Sequence, residues 1–190
     1  MRILAITLYI YANNPEKCHF TPYTTMNIFV FSLNPKKCAA MHCDKHVVKM
    51  ILEYAQLLCT AHRICDPIDI SSPLHALLYK KTHTNHPAAI WTRASRSNYR
   101  WLYLLWKSLC KEYTRRYSKI HKTYTRLRKV LHTPPSNMDC SARLSLPPKI
   151  CPSQYHVKSV TKTYINYFIN EKQSLAHWRA PAAPPSWYHS

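Results

Sequence analysis

Seven polar residues that can bind a ligand or move a proton recur along residues 42–60. They are His42, Lys45, His46, Lys49, Glu53, Gln56 and Thr60. On a helical wheel these positions fall within a sector of roughly 100°, and apolar residues occupy much of the rest. A solvated helix face usually carries scattered charges, so this continuous polar stripe indicates a candidate site.

Two imidazoles one turn apart suggest a metal site as the first possibility. His42 and His46 have the i,i+4 spacing by which one helix face presents two ligands to one ion. Glu53 lies two turns beyond His46, however, and Asp44 falls on the other side of the wheel. His83 and His86 are candidate additional ligands, but Asp44 is the only carboxylate between His42 and His46 and it faces away from them, so we assign no metal-binding residue.

Proton transfer without a metal is the second possibility. A histidine can take or give a proton near neutral pH, and Lys45 or Lys49 could neutralise an anionic substrate. A lysine with a lowered pKa could instead form a Schiff base, although the sequence singles out no lysine for that role. The third possibility is structural, because buried polar stripes often join helices through hydrogen bonds.

A polar connector, Thr82-His83-Thr84-Asn85-His86-Pro87, supplies further candidates. We expect it to close a pocket over the stripe. The predicted catalytic set is therefore His42, His46, Lys49, Glu53, His83, Asn85 and His86. The sequence identifies neither the reaction nor a cofactor.

The composition favours a polyanionic partner and excludes some nucleotide-binding folds. The 190 residues contain no glycine, so a glycine-rich phosphate loop or dinucleotide fingerprint is excluded. Positive-φ positions must then be filled by Asn, Asp or another residue under strain. The formal net charge is +19, and 20 of the 27 basic residues follow residue 70, together with only three of the eight acidic residues. DNA or RNA is the expected partner, ahead of an anionic membrane surface, and no segment predicts a transmembrane helix.

The basic residues of the second half are regularly spaced. Residues 88–131 contain no proline and have helical periodicity, which predicts one long helix or two helices with a break near 117–123. The expected nucleic-acid-binding residues on its basic face are Arg93, Arg96, Arg100, Lys107, Lys111, Arg115, Lys122 and Arg126. Glu112 is the only acidic residue between 88 and 131, so ion pairs within the helix cannot offset the repulsion among the basic residues. We expect the phosphates of a nucleic acid to offset it.

The predicted fold is mainly α, a single helical domain with a minor N-terminal β element. A strand is expected at about 27–32, where aromatic and β-branched residues alternate before Asn34-Pro35. A helix should follow from 36–39 to 62, and helicity should return over about 156–178. The domain would span 26–178, followed by a Pro-rich aromatic tail at 179–190 that is either disordered or pinned by its aromatic residues.

Residues 1–25 are predicted to be an extension or a degenerate duplicate of the segment after Met26. Tyr9–Cys18 mirrors Phe29–Cys38 twenty residues later, although residues 1–12 also have some features of a signal peptide. The eight cysteines form no CxxC pair, and several lie in apolar helical patterns, which favours free thiols in a reducing compartment.

The ordered motifs resemble a family of small uncharacterised proteins encoded by tailed phages and large DNA viruses. These motifs are His-Cys-Asp-Lys-His-Val-Val-Lys-Met from His42, Thr-His-Thr-Asn-His-Pro from Thr82, Asn-Tyr-Arg-Trp-Leu from Asn98, and the terminal Pro-Ser-Trp from Pro185. The resemblance implies a viral protein in the host cytoplasm or nucleus and a nucleic-acid partner, but no catalytic role for any residue.

Three hypotheses follow. The first is an intracellular viral protein that binds nucleic acid or nucleotides and processes or modifies them in a His/Lys/Glu pocket beside a basic helix. The alternative is a non-enzymatic basic nucleic-acid-binding protein whose polar stripe is structural. A secreted, disulfide-linked basic factor is the third.

Overall fold

In the computed structural model, which describes residues 26–188, the chain forms seven α-helices and two short 3-10 helices. The α-helices are α1 (Pro35–Met41), α2 (Asp44–Cys65), α3 (Pro73–Leu77), α4 (Pro87–Ala94), α5 (Arg96–Tyr117), α6 (Lys122–Leu127) and α7 (Val160–Glu171). The 3-10 helices cover Ser153–Tyr155 and Gln173–Leu175. None of these helices is both long and apolar enough to cross a membrane.

Most helix starts are specified by a capping side chain, often followed by proline. In α1, the Asn34 side chain accepts a hydrogen bond from the Lys37 amide at 3.0 Å, and Pro35 occupies the first turn. Ser72 caps α3 before Pro73 in the same way. Proline suits this position because its fixed φ matches the helix and its missing N–H would have no helical partner.

Two residues other than glycine have a positive φ in the described structure. Ser118 ends α5 at φ 53°, and His83 lies in the connector before α4 at φ 51°. These residues adopt the left-handed conformation that glycine would fill at lower cost, which confirms the expectation from composition.

Helices α2 and α5 run antiparallel at the centre of the core. Near one end, the His62 Nε2 atom lies 2.9 Å from the Tyr99 hydroxyl. Further along, the buried Trp106 indole donates a hydrogen bond to the Ile51 carbonyl at 3.0 Å. This pairing fixes which face of α2 is buried and which face remains available for a site.

The predicted N-terminal β element is wrong, because residues 26–188 contain no strand. Residues 26–31 are mostly buried and have no neighbouring strand within 26–188, and alternate main-chain amides donate to helix side chains instead. Asn27 N donates to Glu53 Oε2 (3.4 Å), Phe29 N to the Tyr54 hydroxyl (3.2 Å), and Phe31 N to Cys38 Sγ (3.4 Å). Alternation therefore identified a buried extended segment, but its hydrogen-bond partners come from α1 and α2.

The predicted long helices are divided. The first is broken at His42 and Cys43, which adopt extended backbone angles between α1 and α2. The helical region 88–131 contains α4, α5 and α6, with the expected break at Ser118–His121 and a second at Ser95. Ser95 ends α4 and caps α5, so one residue can terminate one helix and start the next.

The C-terminal residues pack back onto the body. Trp187 lies 5.2 Å from Phe31 and 5.8 Å from Phe168 between ring centroids, and the tilted ring of Tyr188 lies 5.0 Å from that of Trp178. Of the two alternatives for the tail, the described residues support the pinned one. The domain limit at residue 178 remains a prediction, and the interpretation of 1–25 lies outside the described residues.

A buried arginine joins α5 to the break between α1 and α2. The Arg116 side chain is 0% exposed and contacts Asp44 Oδ1 at 3.1 Å and Glu112 Oε2 at 3.2 Å. It also donates to the carbonyls of His42 and Ala40. These partners compensate the charge that burial removes from water.

We expect Arg116→Met to lower the free energy of unfolding by roughly 3–5 kcal/mol, because Asp44 would lose its buried cation. The matched control is Arg115→Met, since Arg115 also pairs with Glu112 but is exposed. That change should cost less than about 1 kcal/mol. Urea denaturation of both variants measures the difference, and equal losses would contradict a central role for Arg116.

Candidate active site

Glu53 is a buried carboxyl on α2 that no arginine of residues 26–188 contacts. The residue is 7% exposed, and its Oε2 atom accepts the Asn27 main-chain amide. Burial raises the pKa of the Glu53 carboxyl, an effect opposed by the charge of Lys49 and by hydrogen bonds from Lys49 and Asn27. A carboxyl with a raised pKa in a partly enclosed position can exchange protons with a substrate.

Lys49 connects this carboxyl to the surface. Its Nζ atom lies 3.2 Å from Glu53 Oε1, one helical turn away, while its side chain is 70% exposed. Lys172 also lies nearby, since its charge and that of Lys49 both act on His46, and its ammonium is 5.3 Å from the centre of the Tyr167 ring. The surface beside Glu53, which we call the mouth of the site, is therefore positively charged, although the carboxyl itself is buried.

The extended segment 26–31, whose Asn27 amide faces Glu53, is held in place by residues from the C-terminal half. The Tyr164 hydroxyl is 2.9 Å from Asn27 Oδ1 and 2.8 Å from the Pro148 carbonyl, and it accepts the Ile150 amide at 3.0 Å. The Asn27 side-chain amide donates to the Ile150 carbonyl at 2.6 Å. This network fixes the amide that points at Glu53.

His42 lies in the core rather than at the mouth. It is 0% exposed, with Nδ1 2.8 Å from the Cys38 carbonyl and Nε2 3.2 Å from the Tyr54 hydroxyl. The carbonyl can only accept, so Nδ1 carries the proton and Nε2 can accept from the tyrosine. Burial lowers the pKa of His42 to about 4, so the ring is neutral at physiological pH.

His46 is surrounded by aromatic rings. It is 4% exposed, and its ring centroid lies 4.2 Å from Phe29 and 5.5 Å from Phe168. Its Nδ1 atom is buried without a hydrogen-bond partner among the described residues. Burial, reinforced by the charges of His42 and Lys49, lowers the pKa of His46 well below its usual value.

The connector residues form a separate group. His83 and Asn85 are exposed, and the half-buried His86 caps α4 by accepting the Ala88 amide at 3.2 Å. The connector meets α2 through Thr82, whose carbonyl accepts from the Thr60 hydroxyl at 3.3 Å. Thr60 is seven residues beyond Glu53, or about 10 Å along the helix. The structure brings Lys49 and Glu53 together but places this connector two turns further along.

Four of the predicted DNA-contacting arginines also brace the fold. Arg93 donates to the Thr84 carbonyl, Arg96 to Ser136, and Arg126 to Leu77 and Ala76, while Arg115 pairs with Glu112. The exposed members of the predicted set without such braces are Arg100, Lys111 and Lys122, and Lys107 is half-buried. Within the predicted set, these four cations on α5 and α6 are the ones whose side chains contact no carbonyl or carboxylate among residues 26–188.

Sequence reasoning missed Asn27, Tyr164 and Arg116. Asn27 and Tyr164 contact each other through a side-chain oxygen and a hydroxyl although they are 137 residues apart in the sequence. No periodic pattern predicts a contact of that kind. Arg116 carried a usable signal, because it is the i+4 partner of Glu112, the one acid in a long basic region.

Residues 26–188 contain no cluster of three or more His, Cys, Asp or Glu side chains that could hold a metal ion. The cysteines described in this range are free thiols: Cys38, Cys43, Cys59, Cys65, Cys110, Cys140 and Cys151. Burial raises the pKa of Cys38 to about 11, so this thiol stays protonated and packs as a small apolar group.

A family model described as pyrimidine dimer DNA glycosylase matches residues 26–125, which is just over half of the chain. The matched residues run from Met26 through α5 into α6 and include Asn27, Lys49 and Glu53. No curated protein and no solved structure matches the chain.

Two of the buried histidines, His42 and His46, predict acid-sensitive stability. Histidines in the unfolded chain bind protons near pH 6.5, whereas His42 in the folded protein does so only near pH 4. The free energy of unfolding should therefore fall as pH drops from about 6.5 towards 4, with a contribution from His42 of roughly 3 kcal/mol.

Urea denaturation between pH 7 and pH 4 measures this dependence. His46→Leu removes one buried titrating ring, so the loss of stability on acidification should be smaller in this variant. The exposed His132 provides the control, because His132→Gln removes a histidine from the surface rather than the core. An unchanged acid dependence in His46→Leu would show that this ring does not contribute to the effect.

Proposed function

Because the chain belongs to the family of pyrimidine dimer DNA glycosylases, we propose that it binds DNA containing a pyrimidine dimer and cleaves an N-glycosidic bond there. The bond joins the deoxyribose C1′ atom to a pyrimidine nitrogen. A buried carboxyl, Glu53, reached from a positively charged mouth through Lys49, carries the proposal.

The reaction needs a group that handles positive charge on the sugar. As the C1′–N bond breaks, its electrons leave with the base and the sugar gains oxocarbenium character. A carboxylate beside C1′ stabilises that charge, accepts a proton from the water that adds to C1′, and so completes hydrolysis as the departing base is protonated. We assign this role to Glu53.

The other buried carboxyl suits the role poorly. Asp44 is occupied by Arg116, by His177 Nδ1 at 2.8 Å and by the Arg179 amide at 3.0 Å. Glu53, in contrast, has the Asn27 amide on one oxygen and Lys49 on the other. Because 70% of the Lys49 side chain is exposed, its ammonium is accessible to a phosphate of the DNA.

The exposed cations of α5 and α6 are proposed to bind the DNA backbone. Arg100, Lys111 and Lys122 project from the surface and can neutralise phosphates, with Lys107 beside them. Such contacts release counterions, so affinity should fall steeply with salt concentration. The four arginines that bind carbonyl or carboxylate groups of the protein would add positive charge from fixed positions. This favours a DNA-binding surface that is already formed before DNA binds.

The target base must leave the base stack to approach a buried carboxyl. Glycosylases extrude the target nucleotide, and a damaged step is the least costly to open. A DNA substrate also places the proposed site of action inside the cell, in the host cytoplasm or nucleus if the protein is viral.

A second candidate function is DNA binding without catalysis. The observation that favours it is the burial of His42 and His46, which occupy hydrogen-bonded and aromatic core positions. Under that alternative the polar stripe would be structural, and only the basic surface would act on DNA.

Glu53→Gln distinguishes the two candidates. We expect this change to lower the rate of N-glycosidic bond cleavage in a duplex with one pyrimidine dimer by roughly 10²–10⁴-fold, because a proton acceptor is lost. The melting temperature should stay level or rise, since a neutral amide removes the cost of a buried charge. The cleaved base stays joined to its partner pyrimidine in the dimer, so the reaction is measured by strand cleavage at the resulting abasic site.

The control is Glu171→Gln, an exposed carboxyl outside the site, which should retain the parental rate. DNA binding by Glu53→Gln should also remain within a few-fold. A parental rate in Glu53→Gln would remove Glu53 from the mechanism. Salt-dependent DNA binding by a parent protein that leaves the N-glycosidic bonds of the dimer intact would support the non-enzymatic function.

A further inference from the structure

The exposed face of α2 beside Glu53 combines aliphatic and basic residues. Val48 is 43% exposed and Leu52 is 40% exposed, one helical turn apart. Lys45 and Lys49 are exposed on the same face, also one turn apart. We call these four residues the α2 patch.

The position of the patch separates it from ordinary exposed apolar residues. Single aliphatic side chains at the surface are common and need no explanation. Here Leu52 immediately precedes Glu53 in the helix, and Lys49 pairs with Glu53 directly. Anything that brings a reacting sugar to Glu53 must therefore lie against Leu52 or pass close to it.

Charge and shape both favour DNA as the occupant. Two exposed ammonium groups beside two aliphatic side chains suit a partner with phosphates on its edge and apolar base faces within. DNA that is opened at one step offers both, and proteins insert leucine and similar side chains between bases to hold such a step open. An apolar protein surface would leave the lysines without partners.

We propose that the α2 patch docks on DNA at the lesion, with Leu52 inserted into the base stack beside the dimer and Lys45 on the backbone. This inference rests on the proposed function and names how that site engages its substrate. Val48 packs behind Leu52 along the helix and supports its position. Leu52 is a positioning residue, since it opens the duplex while Glu53 handles the charge.

The test measures the unstacking of DNA bases separately from cleavage of the N-glycosidic bond. A duplex with one pyrimidine dimer carries the fluorescent base 2-aminopurine next to the lesion, and the full chain with Glu53→Gln keeps this substrate intact. Binding should raise the fluorescence as the neighbouring base unstacks. Adding Leu52→Ser should abolish most of that rise and weaken binding to dimer DNA by about tenfold, with little effect on undamaged duplex. Leu52→Met should retain the signal.

The control variant is Ile64→Ser, which removes an aliphatic side chain of similar exposure from the other end of α2, about 18 Å away. It should leave the fluorescence rise unchanged. Lys45→Ala should weaken binding to all duplexes and reduce the salt slope by about one. Melting curves of each variant exclude unfolding as the cause of a lost signal.

The outcomes separate this inference from the proposed function. A fluorescence rise that survives Leu52→Ser overturns the insertion, even if the parent cleaves the N-glycosidic bond in a manner dependent on Glu53. A rise that depends on Leu52 in a protein whose parent leaves that bond intact supports insertion and overturns the glycosylase function. If dimer DNA gives no rise with the Glu53→Gln protein, insertion is also overturned.

Discussion

The ion pair between Arg116 and Asp44 is the contact on which the arrangement of the site depends. Asp44 is the first residue of α2, and Arg116 lies in the last turn of α5, so the pair fixes where the two longest helices begin and end against each other. Arg116 also binds the carbonyls released by the break before α2. Asp44 accepts the Arg179 amide as well, which draws the C-terminal residues onto the same point. A buried charge needs all of these partners, and their number restricts the fold to one packing.

With α2 held in this way, its polar face is directed at the extended segment that precedes α1. A lone extended segment without a strand beside it must find acceptors for its amides elsewhere. Glu53 and Tyr54 provide two of them, on adjacent positions of the helix. Glu53 therefore has two roles, because it satisfies the Asn27 amide and also offers a carboxyl to the surface. The raised pKa of Glu53 reflects the free-energy cost of burying its negative charge. Residues that lower the stability of the folded protein in this way are expected at sites of activity.

The sequence predicted the proximity of Lys49 and Glu53 because both lie on one uninterrupted helix at i,i+4 spacing. It could not predict the environment of His42, since the break at His42 and Cys43 takes this residue off the wheel of α2. The basic region shows a similar limit: the positions of the arginines were clear, but their carbonyl partners come from loops distant in sequence. The expected strand failed because alternation reports burial, whereas pairing depends on a neighbour that the pattern does not contain.

The family match ends near residue 125, yet the surroundings of Glu53 continue beyond it. Tyr164 and Ile150 hold Asn27, and Phe168 closes the aromatic cage around His46. These residues reach the site through a connector and α7, then through a tail whose Trp187 packs on Phe31. The matched region supplies the carboxyl and its lysine, whereas the C-terminal region fixes the segment that the carboxyl faces. Since an amide aimed at a buried carboxylate stabilises its charged form, the C-terminal region sets part of the electrostatics of Glu53 through the Asn27 amide that it holds in place.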